Sequence, residues 1–180
     1  MMRQLAELEL AHPEHDSPDS PTKRVGGEPT KEFKTVVHDP PMLSIENAYS
    51  YEELAEWDAR VRRAAGVESI EYQADLKIDG VSMDLLYEDG ILVRGATRGD
   101  GVRGDDVTPN VRTIRALPLR IDARYRVLQV RGEVYIDKKT FAAINREIEE
   151  KGEVEPFANP RNTTAGAIRI VLFQCAYRPH

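Results

Sequence analysis

The segment Asp75-Leu76-Lys77-Ile78-Asp79-Gly80 sets one amine between two carboxylates, each two positions away. In an extended strand, successive side chains point to opposite faces. Asp75, Lys77 and Asp79 would then share one face while Leu76 and Ile78 enter a core, and Gly80 would let the chain turn tightly beside the lysine. A lysine amine is a nucleophile only when unprotonated, a state favoured by partial burial or by nearby cations, including a metal ion. Flanking carboxylates by themselves favour the ammonium, so two aspartates here make more sense as ligands for a divalent cation or for a substrate. The same alternation also fits a half-exposed strand with a charged face and no chemistry.

The elements that must position this segment can be read on both sides of it. Gln4 to Ala11 has helical spacing, with Leu5 and Leu8 on one side. His12 to Lys34 carries four prolines and the pair Gly26-Gly27, which predicts an extended linker. Ser50 with Glu53 has capping-box spacing, so a helix is expected from Tyr51, with Leu54, Trp57 and Val61 on one face and Gly66 as its stop. Alternation from Ile70 to Met83, continued through Tyr87, predicts a strand. Asp89-Gly90 is a hairpin signal, and Ile91 to Ala96 should return as the second strand. Gly99, Gly101 and Gly104 read as a flexible loop, Val127 to Ile136 as a strand, and Lys138 to Glu150 as a helix. Hairpins with helices between them favour an α+β fold over a doubly wound parallel sheet.

Composition narrows the function. A single cysteine, Cys175, excludes an internal disulfide framework and a multi-cysteine metal site, and the four histidines are scattered. No apolar run approaches the roughly 20 residues that span a bilayer, and the start lacks the pattern of a signal peptide, so the expected compartment is the cytoplasm. The net charge of −6 argues against a nucleic-acid partner, but the charge is uneven. From Arg94 to Arg131 there are nine arginines and four aspartates with no lysine, a local balance of +5. Arginine's planar fork suits phosphate oxygens, although the same stretch fits a mixed, solvated surface.

Lys77-Ile-Asp-Gly80 resembles the nucleotidyltransferase motif in which a lysine becomes adenylated. Around it stand His38-Asp-Pro-Pro-Met-Leu-Ser-Ile-Glu-Asn47, Arg94-Gly-Ala-Thr-Arg-Gly-Asp-Gly101 and Asp106-Val-Thr-Pro-Asn-Val-Arg-Thr-Ile114. Val130-Arg-Gly-Glu-Val134 and Phe157-Ala-Asn-Pro-Arg-Asn162 follow. A lone lysine motif is weak, but these six segments in this order and spacing resemble the signature segments of bacterial NAD-dependent DNA ligases, over about His38 to Arg169.

The resemblance implies a lysine-nucleotidyltransferase fold (ATP-grasp-like) of antiparallel sheets with flanking helices. Residues 1–49 would be the end of an amino-terminal NAD-contacting region plus the linker, and residues 50–180 part of an adenylation domain. Lys77 would attack the α-phosphorus of NAD and become a lysine–AMP phosphoramidate, and Asp79 would help hold the lysine and a magnesium ion. Ser44 and Ile45 would lie against the nucleotide. Asp75 occupies a position where the family usually has glutamate at the adenine, a shorter reach that puts this contact in question. Arg98 would contact the nucleotide, Glu133 would accept hydrogen bonds from ribose hydroxyls, and Arg161 and Arg169 would engage nucleotide or DNA phosphates. The partner would be nicked double-stranded DNA, with no membrane and a monomeric protein.

The resemblance also implies what lies elsewhere: most of the NAD-gripping helices before Met1, and later catalytic lysines, an OB-fold, a zinc finger and DNA-clamping modules after a tail that diverges past Arg169. Zinc is expected only there. A chain cut within its sheets should have little adenylation activity alone. Two other readings stay open from the residues: an ATP-dependent lysine nucleotidyltransferase, and a nucleotide- or DNA-binding remnant without catalysis.

Overall fold

The structure, a computed structural model, describes residues 2–24, 33–152 and 155–169. The Gly26-Gly27 part of the expected linker, the divergent tail and Cys175 lie outside the described residues. In chain order the elements are α1 (Met2–Ala11), β1 (Thr35–Val37), α2 (Tyr51–Ala65), β2 (Val81–Glu88), β3 (Ile91–Thr97), β4 (Arg103–Asp105), α3 (Thr108–Arg112), β5 (Val127–Val134), α4 (Lys138–Lys151) and α5 (Pro160–Arg169). They form two compact units, one of residues 1–42 with 78–180 and one of residues 43–77. Helices and antiparallel strands are mixed, in keeping with an α+β architecture, and no described helix is long and apolar enough to cross a membrane.

The larger unit is built on an antiparallel sheet of order β3-β2-β5. The β2–β3 hairpin turns at Asp89-Gly90 with φ of 46° and 81°, the positive pair that a two-residue I′ turn requires and that Asp-Gly tolerates best. Partners across β2 share a face, so the two faces of the sheet can be read from the register. Met83, Leu85 and Tyr87 face a core completed by Leu92, Val107, Val111, Leu119 and Ile168. The opposite face sets Ser82 beside Glu133 and Asp84 beside Arg131. One face therefore supplies cohesion by burying apolar area, and the other carries polar groups.

Several expectations are corrected. The strand expected from Ile70 begins only at Val81, and residues 69–79 have no regular structure. Leu76 is 89% exposed and Ile78 38% exposed, so neither enters a core. Alternation makes a two-faced strand only where a neighbour takes up its backbone hydrogen bonds, and the partners of β2 run out at Thr97 and Val134. The Gly-rich stretch is not all loop: Arg103–Asp105 pairs antiparallel with Thr35–Val37. The breaker-rich segment is also less extended than expected, with 3-10 turns at Pro13–His15 and Pro21–Arg24. There the buried Ser20 hydroxyl donates to Glu9, tying the segment back to α1.

The smaller unit centres on α2. The Ser50 hydroxyl accepts from the Glu53 amide at 3.2 Å, while the Glu53 carboxylate accepts from the Tyr49 amide at 2.7 Å, one residue earlier than in a standard capping box. Gly66 closes the helix at φ 69°. The expected apolar face is only half covered, with Leu54 49% and Trp57 37% exposed. Tyr72 packs its ring on Trp57, centroids 5.2 Å apart, and donates its hydroxyl to Asp58 at 2.8 Å.

Candidate functional site

One end of the larger unit gathers most of the charged residues singled out from the sequence. β2 starts immediately after Gly80, whose amide donates to Glu133 Oε1 at 3.1 Å. A Cβ on Gly80 would stand 2.2 Å from the Val134 carbonyl oxygen, so only glycine lets the chain enter the sheet this closely. The Ser82 hydroxyl donates to Glu133 Oε2 at 2.8 Å. Both carboxylate oxygens are thus held, one by Gly80 and one by Ser82 of β2. Two oxygens offer roughly four lone-pair sites, which leaves about two for a ligand hydroxyl.

Next to this frame is a cavity of about 260 Å³ bounded by Gly80, Ser82, Thr97, Arg98, Arg161 and Arg169, among others. Arg98 comes from the end of β3, where its amide donates to the Ser82 carbonyl at 3.1 Å. Arg161 and Arg169 come from the first and last turns of α5, a helix the sequence reading did not single out. Its start is organised by Asn159, whose side-chain oxygen accepts from the amides of Arg161 at 2.8 Å and Asn162 at 3.3 Å. The loop before it is fixed by Asn145 of α4, which exchanges two hydrogen bonds with the Phe157 backbone at 2.8 Å each.

The charges around the cavity are partly balanced. Arg161 pairs with Asp79 at 2.9 Å and Arg169 with Asp105 at 2.9 Å. With Arg161 and Asp79 54% and 69% exposed, that pair is worth about 0–1 kcal/mol, small enough for a phosphate to exchange for the carboxylate. Asp100, in the turn after Arg98, has its carboxyl held below the usual carboxylate range by the amides of Arg103 and Val102. That turn presents Arg98, while the Gly101 carbonyl accepts from the Met42 amide at 2.8 Å.

The smaller unit carries the remaining residues. Lys77, Asp75 and Ser44 are exposed, and Asp75 accepts from the Gln73 side chain at 3.1 Å. Ile45 lines a separate cavity of about 450 Å³ with Asn47, Glu53, Trp57 and Arg60, among others. Lys77 is the last residue of this unit and Asp79 belongs to the other. The shared face expected for Asp75, Lys77 and Asp79 is not formed, because no strand runs through them.

The arginine-rich stretch does not make one phosphate-facing strip. Arg120 binds Asp19, Arg124 binds Asp122, and Arg112 donates to the Leu92 carbonyl at 3.0 Å. Arg131 donates to the carbonyls of Pro40 and Pro41. Residues that sequence reasoning missed include Ser82, which holds Glu133, and Asp105, which holds Arg169. The Ser82–Glu133 alternation across a strand pair was the only signal for the first, and none was visible for the second. Among the described residues, no three His, Cys, Asp or Glu side chains converge as a ready metal cage.

Residues 30–175 match the model of the NAD-dependent DNA ligase adenylation domain, and residues 1–26 match that of the DNA ligase-like, N-terminal NAD+-binding domain. Curated proteins named DNA ligase are similar over 94% of the chain: that of Rubrobacter xylanophilus at 56% identity, that of Brevibacillus brevis at 52% and that of Thermotoga maritima at 52%. The chain spans about a quarter of the length of these relatives.

Proposed function

Because the chain belongs to the NAD-dependent DNA ligase adenylation family, we propose that it carries the lysine-nucleotidyltransferase fold and serves a ligase that takes AMP from NAD to seal nicked double-stranded DNA. The observation that carries this reading is the convergence of Arg98, Arg161 and Arg169 on one cavity whose edge is bonded to Glu133. Three guanidinium groups beside a carboxylate suit a ligand that presents phosphates at one end and ribose hydroxyls at the other.

In this reading residues 1–49 are the end of the NAD-contacting region with its linker, and residues 50–180 are part of the adenylation domain. The Lys77 amine attacks the α-phosphorus of NAD. A nitrogen–phosphorus bond forms, the bond to the bridging oxygen breaks, and nicotinamide mononucleotide leaves with that oxygen. The AMP then passes to the 5′-phosphate at a nick, and the neighbouring 3′-hydroxyl displaces it as the strand is joined. The protein's own contribution is placement and charge: Arg98, Arg161 and Arg169 meet phosphate oxygens as negative charge redistributes. Glu133 uses its remaining lone pairs on ribose hydroxyls. Ser44, Ile45 and Asp75 attend the nucleotide, with Asp75 reaching less far than the glutamate usual in the family.

Magnesium fits as a phosphate-borne ion rather than a caged one. Asp79 is exposed and shared with Arg161, and magnesium is commonly held by one or two carboxylates, phosphate oxygens and water. We take the protein to act in the cytoplasm, as a monomer, with zinc confined to parts of the relatives that this chain does not span.

The test is AMP transfer by the protein at its relatives' full length, offered NAD or ATP with magnesium. Peptide mass analysis should place one AMP on Lys77 with NAD and none with ATP. A label with ATP alone, or on another residue, overturns the reading.

A further inference from the structure

Beneath the arginine-lined cavity lies a buried polar network that the proposed chemistry does not use. His38, just after β1, and Asp84 of β2 both have fully buried side chains. His38 Nδ1 is hydrogen-bonded to Asp84 Oδ2 at 3.3 Å, and Nε2 donates to the Thr97 carbonyl at 3.0 Å. The Thr97 carbonyl can only accept, so the proton of that bond sits on Nε2. Asp84 is also met by the Gln129 amide, 2.8 Å from each carboxylate oxygen, and by Arg131 Nε at 3.9 Å. The ring reaches Thr97 only because Gly104 has no side chain, since a Cβ there would stand 1.7 Å from the Thr97 oxygen and 2.8 Å from His38 Nε2.

The Thr97 carbonyl and the Arg98 amide belong to one planar peptide unit. His38 holds its oxygen, and the Ser82 carbonyl accepts from its N–H at 3.1 Å. The Thr97 hydroxyl accepts from the Asp105 amide at 3.0 Å, and the Asp105 carboxylate holds Arg169 at 2.9 Å. Two of the three arginines at the cavity are therefore reached through one residue, Thr97, and Thr97 is held from below by His38. A buried ion-pairing network has little advantage over an apolar pair of the same volume for stability alone, so its use here is better accounted for by placement.

We propose that His38 is a positioning residue: by donating to the Thr97 carbonyl it fixes the Thr97–Arg98 peptide, and with it the guanidinium groups of Arg98 and Arg169, for phosphate binding. The inference rests on the phosphate-binding reading of that cavity and adds a residue that never touches the ligand.

Two substitutions separate this role from mere support. In His38→Gln the amide nitrogen takes roughly the place of Nε2 and keeps the bond to Thr97, whereas in His38→Asn it takes the place of Nδ1 and keeps only the bond to Asp84. The measurements are calorimetric affinity for inorganic pyrophosphate and hydrogen exchange of the Arg98 amide. His38→Gln should bind within about twofold of the parent, and His38→Asn roughly tenfold more weakly with faster Arg98 exchange, as expected for loss of one buried hydrogen bond. Should His38→Asn not fold, Thr97→Val decides instead, since it cuts the link to Asp105 and should also weaken binding. Equal affinities and equal Arg98 exchange in parent and His38→Asn, or unchanged binding by Thr97→Val, overturn the proposal. A parent that does not bind pyrophosphate at all refutes the arginine-site reading itself, and the proposal with it.

Discussion

On the carboxyl side of Gly80 the chain is paired on both edges: Val81 faces Val134, Met83 faces both Thr97 and Gly132, and the Gly80 amide is bonded to Glu133. On the amino side, residues 71–79 are exposed and join no strand. The two stretches adjoin in sequence and share the same alternating pattern, yet they are held by different means. The difference lies in neighbours rather than in propensity, because a strand's faces exist only where another strand fixes its register. For the proposed chemistry this divides the labour. The groups that would recognise phosphates and ribose are built into a sheet and a capped helix, while the nucleophile stands on a segment that the sheet does not anchor.

The sharpest way to break that comparison is to cut side chains on each side of Gly80. Leu92→Ala removes a core residue 1% exposed and should cost about 2–5 kcal/mol in urea unfolding of the larger unit. A cost below 1 kcal/mol would mean the sheet is not the rigid half. Glu133→Ala leaves the Gly80 amide and Ser82 hydroxyl without their acceptor and should cost about 1–3 kcal/mol. Glu133→Gln, which keeps one acceptor oxygen, should cost less, and the reverse order would contradict the assigned bonds. Asp79→Asn loosens only an exposed ion pair, so stability should fall by about 0–1 kcal/mol while pyrophosphate affinity rises as Arg161 is released. A fall in affinity would show that the pair helps the site instead of competing with it.

A pH series addresses a third contact, the Arg120–Asp19 pair of the larger unit. The Arg120 guanidinium, helped by the Ser17 hydroxyl, holds the Asp19 carboxyl at about 2 against its ordinary 3.8. A lowered carboxyl favours the folded state wherever the unfolded chain would bind the proton more readily. The contribution is therefore complete above about pH 4 and is lost as pH falls toward 2. Arg120→Gln should remove that part of the acid sensitivity, and an unchanged acid profile would rule the contact out as its source. The smallest effect belongs to the unanchored side: Leu76→Ala should change stability by less than about 0.5 kcal/mol, and a cost of 2 kcal/mol or more would mean residues 71–79 are packed after all.

The sequence made some of this plain and hid the rest for physical reasons. Asp89-Gly90 marked the hairpin, and Ser50 with Gly66 marked both ends of α2, because turn and cap preferences are local. Residues 70–79 alternate like a strand and form none, since alternation carries no record of whether a partner is present. β1 and β4 are three residues each, too short to show a period, and α5 begins in a Pro-Arg-Asn run that looks like loop. The roles expected of Arg98, Arg161 and Arg169 rested on resemblance alone, and the structure adds that the three share a cavity. The His38–Asp84 contact joins residues 46 positions apart, a distance at which spacing says nothing.

The account stands on the Lys77 amine as the acceptor of AMP. Nick sealing by a Lys77→Ala variant of the full-length protein, supplied with NAD and magnesium, tests it most directly. The prediction is no AMP adduct and no joined strand, with pyrophosphate affinity at the arginine cavity kept within about twofold of the parent because that cavity belongs to the other unit. Sealing at the parent's rate would contradict the account.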